Sequence, residues 1–414
     1  MHVCKIHVIA PLLLLSGLAV PVQARAGGAE LLLWQDVVDL VEGHPVTDKT
    51  MALQALAVSE LSEAKQYPNP KIGVGVGYGD PTGGGSGKVV WDLELTVPLE
   101  WIAERKHLKQ QAEKGIEAAG YEGEALGLVV LLELRRMFVT IAHDEMLLAS
   151  LEASEQHMSE FVATIKMKAD VGDLRKVELT RVEIELAKVR LVSEKALIAA
   201  SAHRARLDLW LGGKLPDDFK VDFHVLALPD VPTLEEAMDD VSSGHPLLKA
   251  GALKVEAAAA GVKAQKHAAF PEMAIGGFVE QELDVAKYGG LFTMSLPLWS
   301  WNKAGVDKAE AEKLEVESEE ALVLLMLGSR VLAAHSDASQ ANAAAVQYRD
   351  EILPRARLAV EDVQKAYDEG DADLIDLIDA RRTLVSTQIE YAGVLLELHL
   401  AVADLEILTG GGVS

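Results

Sequence analysis

Acidic side chains at short spacing are the first residues in this sequence that could do chemistry. Asp376 and Asp379 lie three residues apart in a helical tract, so both carboxylates fall on one face of that helix. Asp92 and Glu94 alternate with apolar residues in a predicted strand and therefore share one face of it. Paired carboxylates of this kind attract cations, although a solvated helix or an exposed strand would show the same spacing.

The remaining candidates do not form an active site. The segment 83–88 (GGGSGK) resembles a phosphate-binding loop, but Val89 stands where Ser or Thr is required and Thr82 where the first Gly is required. His44 and His245 each precede a proline, which is typical of turn residues, and neither a His-x3-His nor an HExxH pair occurs. We therefore predict no catalytic residue, no metal site, no cofactor and no enzymatic activity.

Two glycine-containing turns separate long helical tracts. They share the pattern X-Gly-Asp and consist of Val171, Gly172 and Asp173, and of Glu369, Gly370 and Asp371. Glycine is suited to these positions because it adopts the positive φ that reverses the chain. On sequence alone they are turns without a further role.

Composition excludes several classes of protein. The chain has 64 Asp and Glu against 39 Lys and Arg, a net charge of -25, which argues against nucleic acid as a partner. It is 50% hydrophobic, so it is not disordered, but only 5% aromatic, which favours long helices over a mixed core. The single cysteine, Cys4, excludes disulfides and cysteine-based zinc sites.

The amino terminus predicts export. Lys5 precedes an almost wholly apolar run from Val8 to Val20, and residues 22–24 (VQA) form a small-x-small cleavage site. We therefore assign residues 1–24 to a secretory signal peptide. A short membrane anchor is the alternative, but the run is shorter than the roughly 20 residues that span a bilayer.

The rest of the chain contains an internal repeat. Gly-His-Pro occurs at 43–45 and 244–246, and apolar-Pro-Leu at 97–99 and 296–298, each pair about 200 positions apart. The two Gly-Asp turns recur at nearly the same offset. We therefore divide the chain into four parts: repeat 1 at 25–212, a linker at 213–232 in the equatorial region, repeat 2 at 233–411 and a tail at 412–414.

Each repeat is predicted to contain a helix, two strands, a very long helix and a final helix. The predicted opening helices cover 31–66 and 233–267. The later elements of repeat 1 are strands 71–79 and 88–98 and helices 101–168 and 173–212. Those of repeat 2 are strands 272–281 and 289–298 and helices 301–367 and 371–409. Two shorter helices laid end to end match the length of the long one, which predicts a tall helical layer.

The strands decide between two architectures. They are about 9–10 residues long, which is the length of a transmembrane β-strand, although a soluble sandwich would also contain apolar strand faces. Four strands cannot close a sheet, and lipid does not tolerate an open edge. If the strands span a membrane, several chains must complete one barrel, and three chains would supply twelve strands.

At this point the sequence resembles the TolC-type outer membrane factor (outer membrane efflux protein) family. The resemblance covers essentially the whole chain after the signal peptide and rests on the repeat and on five segments in order: 68–70 (PNP), 97–101 (VPLEW), 296–299 (LPLW), 352–356 (ILPRA) and 367–381. The first two of these are most similar to the heavy-metal cation-efflux branch. The resemblance implies a mainly α fold with a small β part, in which a long α-helical coiled-coil barrel adjoins a transmembrane β-barrel completed by trimerisation.

The resemblance also implies a function. A homotrimer in the outer membrane of a Gram-negative bacterium, with a large periplasmic part, would be the passive exit duct of a tripartite efflux pump, carrying metal cations. Its partners would be outer-membrane lipid, a periplasmic adaptor (membrane fusion protein) and an inner-membrane transporter of the resistance-nodulation-division (RND) type. A multidrug or type I secretion duct of the same family is an alternative, and a periplasmic coiled-coil adaptor or scaffold is a second.

Finally, the resemblance assigns roles to the residues named above. Asp376 and Asp379 would form carboxylate rings at a periplasmic gate, with Glu178 and Arg181 at the matching positions of repeat 1. Arg181 could pair there with a neighbouring aspartate, and Arg381 and Arg382 are other candidate partners. The two glycine turns would receive the adaptor, and Asp92 and Glu94 would line the barrel lumen.

Overall fold

The computed structural model describes residues 31–80, 84, 86–99, 101–172, 174–222, 226–296, 298–299 and 301–409, so the predicted signal peptide and tail lie outside it. The helices are α1 (Trp34–Leu40), α2 (Pro45–Lys65), α3 (Trp101–Asp170), α4 (Lys176–Trp210), α5 (Leu234–Gly244), α6 (Pro246–His267), α7 (Lys303–Gln347), α8 (Leu353–Glu369) and α9 (Leu374–Leu408). The strands are β1 (Leu31–Leu32), β2 (Lys71–Gly79), β3 (Lys88–Pro98), β4 (Lys220–Val221), β5 (Met273–Glu282) and β6 (Val285–Met294).

The long helices form four parallel columns. Helix α3 has 70 residues and is therefore about 105 Å long. Helices α2 and α4 pack on one side of it, and α6 and α9 pack on the other, with α7 beside α6 and α9. The start of α2 meets the end of α4, where His44 stacks on Trp210 at 5.9 Å between ring centroids. Two helices end to end thus match one long helix.

The opening helix of each repeat is shorter than predicted. The expectation of unbroken helices at 31–66 and 233–267 was wrong, because a histidine followed by a proline interrupts each of them. The imidazole Nδ1 of His44 accepts the Val46 N–H at 3.2 Å, and that of His245 accepts the Leu247 N–H at 3.1 Å. Each histidine is therefore the N-cap of a new helix whose first residue is proline.

The four long strands form one antiparallel sheet in the order β2-β3-β5-β6, so β2 and β6 are its edges. Alternate residues of β2 and β3, among them Val76, Trp91 and Leu93, expose an apolar face. Strand β6 ends four residues earlier than predicted, at Met294. The cause is a tight β5–β6 hairpin, in which Leu283 takes a positive φ of 51° and only two residues separate the strands.

A small equatorial layer packs against the middle of the columns. Strand β1 pairs in parallel with β4, which lies in the predicted linker. Val37 of α1 and Phe219 next to β4 join Leu134 and Phe138 of α3 in one buried apolar cluster. We call the half of each column next to the sheet upper and the other half lower. The equatorial layer lies where the upper helices α2 and α6 meet the lower helices α4 and α9.

Candidate functional site

The two glycine turns lie at the end of the columns that is remote from the sheet, which we call the distal tip. Gly172 has φ of 87° and Gly370 has φ of 85°. A Cβ atom on either would meet open space, so the backbone conformation alone requires glycine. At the second turn the Asp371 N–H donates to the Ala366 carbonyl at 2.8 Å and closes the end of α8.

The residues around these glycines are exposed. Val171 projects a largely solvated side chain, and Glu369 and Asp371 flank Gly370 at the surface. Asp173 lies outside the described residues. The distal tip therefore presents two small, solvated turns.

Asp376 has a structural role in addition to its charge. Its Oδ2 accepts the backbone N–H of Asp373 at 3.1 Å, while the Asp373 side chain accepts the N–H of Asp376. This reciprocal capping box fixes the first turn of α9, and both carboxylates lie at the positive end of the helix dipole. The Asp376 side chain remains exposed.

Asp379 takes part in a salt bridge between two columns. Arg382 Nη2 donates to Glu185 Oε1 of α4 at 2.6 Å, and its Nη1 donates to Asp379 Oδ1 at 3.3 Å. Lys188 also donates to Glu185, at 2.9 Å. Because α4 and α9 both pack on α3, this interaction fastens together the two helices that flank it.

The charges in this cluster hold one another ionised. Partial burial tends to raise the pKa of Glu185, but the hydrogen bonds from Arg382 and Lys188 outweigh it, so the pKa is lowered. The hydrogen bond to Glu185 in turn raises the pKa of Arg382. The salt bridge is therefore fully charged at neutral pH.

Arg181 lies in the same groove as Asp379. The groove has a volume of about 370 Å³ and is lined by Arg181, Ile184, Glu185, Ile375, Ile378, Asp379 and Arg382. Within the described part of the chain, no carboxylate lies within 4.0 Å of the Arg181 guanidinium. The structure thus brings Arg181 near Asp379, while Arg382 makes the ion pair.

Glu178 is held apart from this groove. Arg175 donates to its Oε1 through Nε at 2.9 Å and Nη2 at 2.6 Å, one turn away on the same chain segment. The Glu178 side chain is only 14% exposed and lies near Tyr367, whose pKa is raised first by burial and then by Glu178 and Asp368. Glu178 therefore does not match the exposed Asp376 of repeat 2.

Arg381, the other candidate partner of the aspartates, contacts different residues at the tip. Its guanidinium lies 4.5 Å from the ring of Phe161 on α3 and donates to Gln364 of α8 at 2.9 Å. Burial lowers its pKa. Nearby, Lys168 lies 4.8 Å from the Tyr367 ring. These contacts connect α3, α8 and α9 at the distal tip.

On the sheet, Asp92 and Glu94 share the face opposite the apolar one. Gly75 pairs with Asp92, and a Cβ atom there would collide with Asp92 Oδ1, so glycines in β2 make room for the acidic side chains. Asp92 also lies directly opposite Glu280 of β5, and like charges in that position repel. Sequence reasoning missed Glu280, although it follows the apolar Val279 and shares a strand face with Glu282, which was a usable signal.

Comparison with known proteins agrees with this geometry. A family model described as "Outer membrane efflux protein" matches residues 237–411, which is most of the second repeat. This part of the chain therefore matches the family that the sequence resembles. Cobalt-zinc-cadmium resistance protein CzcC of Cupriavidus metallidurans is 22% identical over 326 residues, covering 77% of this chain and 76% of CzcC.

Solved structures share the fold of this chain. The CusC channel superposes with a TM-score of 0.74 at 14% identity, covering 94% of this chain and 96% of CusC. The outer-membrane channel OprN gives 0.73 at 16% identity, covering 92% and 90%. The predicted family, the fold class of a helical barrel with a small β part, and the outer-membrane location are confirmed.

The family and its structural neighbours are channels. In the part of the chain that the structure describes, no three His, Cys, Asp or Glu side chains are grouped to hold a metal ion.

Proposed function

We propose that this protein is the outer-membrane exit duct of a tripartite efflux pump and that its cargo is metal cations. The observation that carries the proposal is the four-stranded sheet. Strands β2 and β6 form its two free edges. One face of the sheet is apolar and exposed, and the other face carries glycines and carboxylates. A sheet of this kind is stable in lipid only when copies of the chain join edge to edge around an aqueous lumen.

The helices support assembly into a homotrimer. The strip of α7 opposite its buried alanines exposes several large apolar side chains, including Leu314, Leu325 and Leu332. At the other side of the layer, α4 exposes Leu191 and Ile198. Exposed apolar strips on both outer columns allow one chain to pack against the next, and three chains place twelve columns beneath a twelve-stranded barrel.

The charges favour cations as cargo. Asp92, Glu94 and Glu280 would face the lumen from each chain, and Asp379 would contribute from the distal tip. The named relative CzcC is a cobalt-zinc-cadmium resistance protein, which points to the same class of cargo. A periplasmic adaptor would dock on Val171, Gly172 and Asp173 and on the 369–371 turn, and an RND-type transporter would supply the energy.

The distal tip is proposed to be the gate. Arg382 joins α9 to α4 through Glu185, and Asp379 and Arg181 share the same groove. Asp376 holds the start of α9 in place by capping. Glu178, at the matching position of repeat 1, is held by Arg175. Widening the duct would separate α4 from α9 and break the Arg382 bridge.

Two measurements test the proposal. Membrane fractionation of the native host should place the protein in the outer membrane as a trimer that dissociates on heating, and a soluble periplasmic product would refute it. Deletion of the gene should sensitise cells to Co²⁺, Zn²⁺ or Cd²⁺ more than to organic antibiotics. The reverse pattern would reject metal cations in favour of a multidrug duct.

A further inference from the structure

The junction between the sheet and the helical columns, which we call the neck, is held together at three seams between neighbouring helices. At the α2–α3 seam the Arg105 guanidinium lies 4.1 Å from the centre of the Tyr67 ring. At the α6–α7 seam the Asn302 side chain donates to the carbonyl and to the Oε1 atom of Gln265, at 2.9 and 3.0 Å. The middle seam, between α3 and α6, contains two histidines instead.

His107 of α3 and His267 of α6 stack face to face at this middle seam. Their ring centroids are 4.9 Å apart, and their ring planes differ by 14°. Phe270 continues the stack at 5.7 Å from His267. Further from the sheet, both helices bury small residues, Ala112 and Ala264. The two imidazoles therefore hold α3 against α6 at the point where α6 ends.

Neutral rings fit this stack better than charged ones. Within the described residues, the buried Nδ1 atom of His107 has no hydrogen-bond partner. A neutral ring with its proton on Nε2 places only a lone pair at Nδ1, whereas a protonated ring would bury an N–H donor without an acceptor. Two protonated rings at this separation would also repel each other. Protonation therefore opposes the stack.

The surroundings of His107 act in the same direction. Burial lowers the pKa of His107. Charge repulsion from His267, Lys106 and Lys263 lowers it further. Three carboxylates of the neighbouring turns do not reverse this shift. They are Glu104 on α3, Glu310 on α7, which pairs with Lys266 at 2.9 Å, and Glu60 on α2, which lies beside Gly115 about two turns below His107.

We propose that the His107–His267 stack is a pH-sensitive latch, which holds α3 and α6 together at the neck while both rings are neutral and opens on proton uptake. The latch goes beyond the proposed duct function, because it acts next to the sheet and not at the distal tip. In the open latch His107 is solvated and has the ordinary histidine pKa of about 6.5. Opening is therefore coupled to uptake of one proton, and the open population should rise about tenfold between pH 7.5 and 5.5.

Hydrogen exchange on the purified full-length protein tests the latch, with rates corrected for the intrinsic effect of pH on exchange. Amides at 105–110 and 263–268 should become about tenfold less protected between pH 7.5 and 5.5, whereas those at 158–165 of α3 should not. His107→Phe keeps an aromatic stack that cannot take up a proton, so it should remove this pH dependence. His157→Phe, at an exposed position of α3, is the matched control and should retain it.

Three results would overturn the latch. They are neck protection that does not change with pH in the native protein, a pH dependence that survives in His107→Phe, and one that is lost equally in His157→Phe. If His107→Phe does not fold, His267→Phe makes the same test from α6. Loss of the pH dependence in Glu104→Gln would assign it to that carboxylate and reject the latch. Absence of channel conductance would reject the duct, and exchange would still decide the latch.

Discussion

Removal of Arg382 is the sharpest test of the proposed gate. Arg382 is the only side chain in the described part of the tip groove that bonds to both α4 and α9, through Glu185 and Asp379. Arg382→Ala should therefore raise the open probability of the channel. The folding of the barrel and of the helical columns should be unaffected, because the arginine side chain is half exposed.

The size of the expected change in open probability follows from the solvent exposure of Arg382 and Glu185. The Arg382 side chain is 54% exposed and that of Glu185 is 12% exposed. Charge-assisted hydrogen bonds contribute about 1.5–3 kcal/mol and exposed ion pairs about 0.2–1 kcal/mol, so about 1 kcal/mol per chain is a fair value after screening. If three chains open together, the variant loses about 3 kcal/mol of stabilisation of the closed state. The ratio of open to closed states should then rise roughly a hundredfold.

Single-channel recording at low and high salt measures this ratio. The charge-swapped pair Glu185→Arg with Arg382→Glu should return the open probability toward that of the native protein. Arg190→Ala is the matched control, because Arg190 bonds to Glu155 at 2.9 Å with similar exposure but joins α4 to α3. If the swap fails to restore closure, or if Arg190→Ala opens the channel equally, the bridge is not the gate.

Three further predictions concern other parts of the molecule. Gly370→Val forces a β-branched residue into a positive φ of 85° at a cost of about 1–2 kcal/mol, and should leave a trimer by crosslinking but abolish export. Burial lowers the pKa of His245, so its protonation favours the unfolded chain, and melting temperatures should fall as the pH drops below about 6.5. His245→Asn keeps the cap and should weaken this dependence. Asp92→Asn with Glu94→Gln should lower the cation-to-anion permeability ratio in reversal-potential measurements.

Each of these changes has a control in the same molecule. Gly393 also has open space around a Cβ but lies inside α9 with ordinary helical φ, so Gly393→Ala should stabilise the protein slightly. Melting curves of His245→Asn that keep the full pH dependence would assign the effect to other groups. An unchanged permeability ratio in the Asp92→Asn, Glu94→Gln variant would refute the lumen assignment.

The fold could largely be predicted because the same local sequence patterns, which indicate strands and turns, occur in both repeats. The strand alternation around Trp91 and the glycine turns at 172 and 370 are local patterns with a physical cause in φ or in side-chain period. The His-Pro interruptions were visible as well, at 44–45 and 245–246. Their meaning was missed, because a histidine cap depends on which imidazole nitrogen faces the next turn, and sequence spacing does not contain that information.

The candidate site was harder to predict because it depends on contacts between distant segments. Asp376 and Asp379 were paired on one helix face, yet the structure gives them different partners, a cap and a salt bridge. Glu185 lies on the other side of α3 and has no sequence signal that links it to Arg382. The sequence-based gate residues, including Glu178 and Arg181, therefore stay predictions.

The two repeats differ in their long helices. At an offset of about 198 positions, Pro354 corresponds to residue 156 of the first repeat, which lies inside the uninterrupted helix α3. There the neighbouring Glu155 is bonded to Arg190 of α4, and the helix packs on columns at both sides. Within the described residues the two repeats thus share one plan, but only the second has a π-turn followed by a proline in its long helix. Proline removes one backbone donor at that point, so the second repeat departs from the first in backbone hydrogen bonding and not in its order of elements.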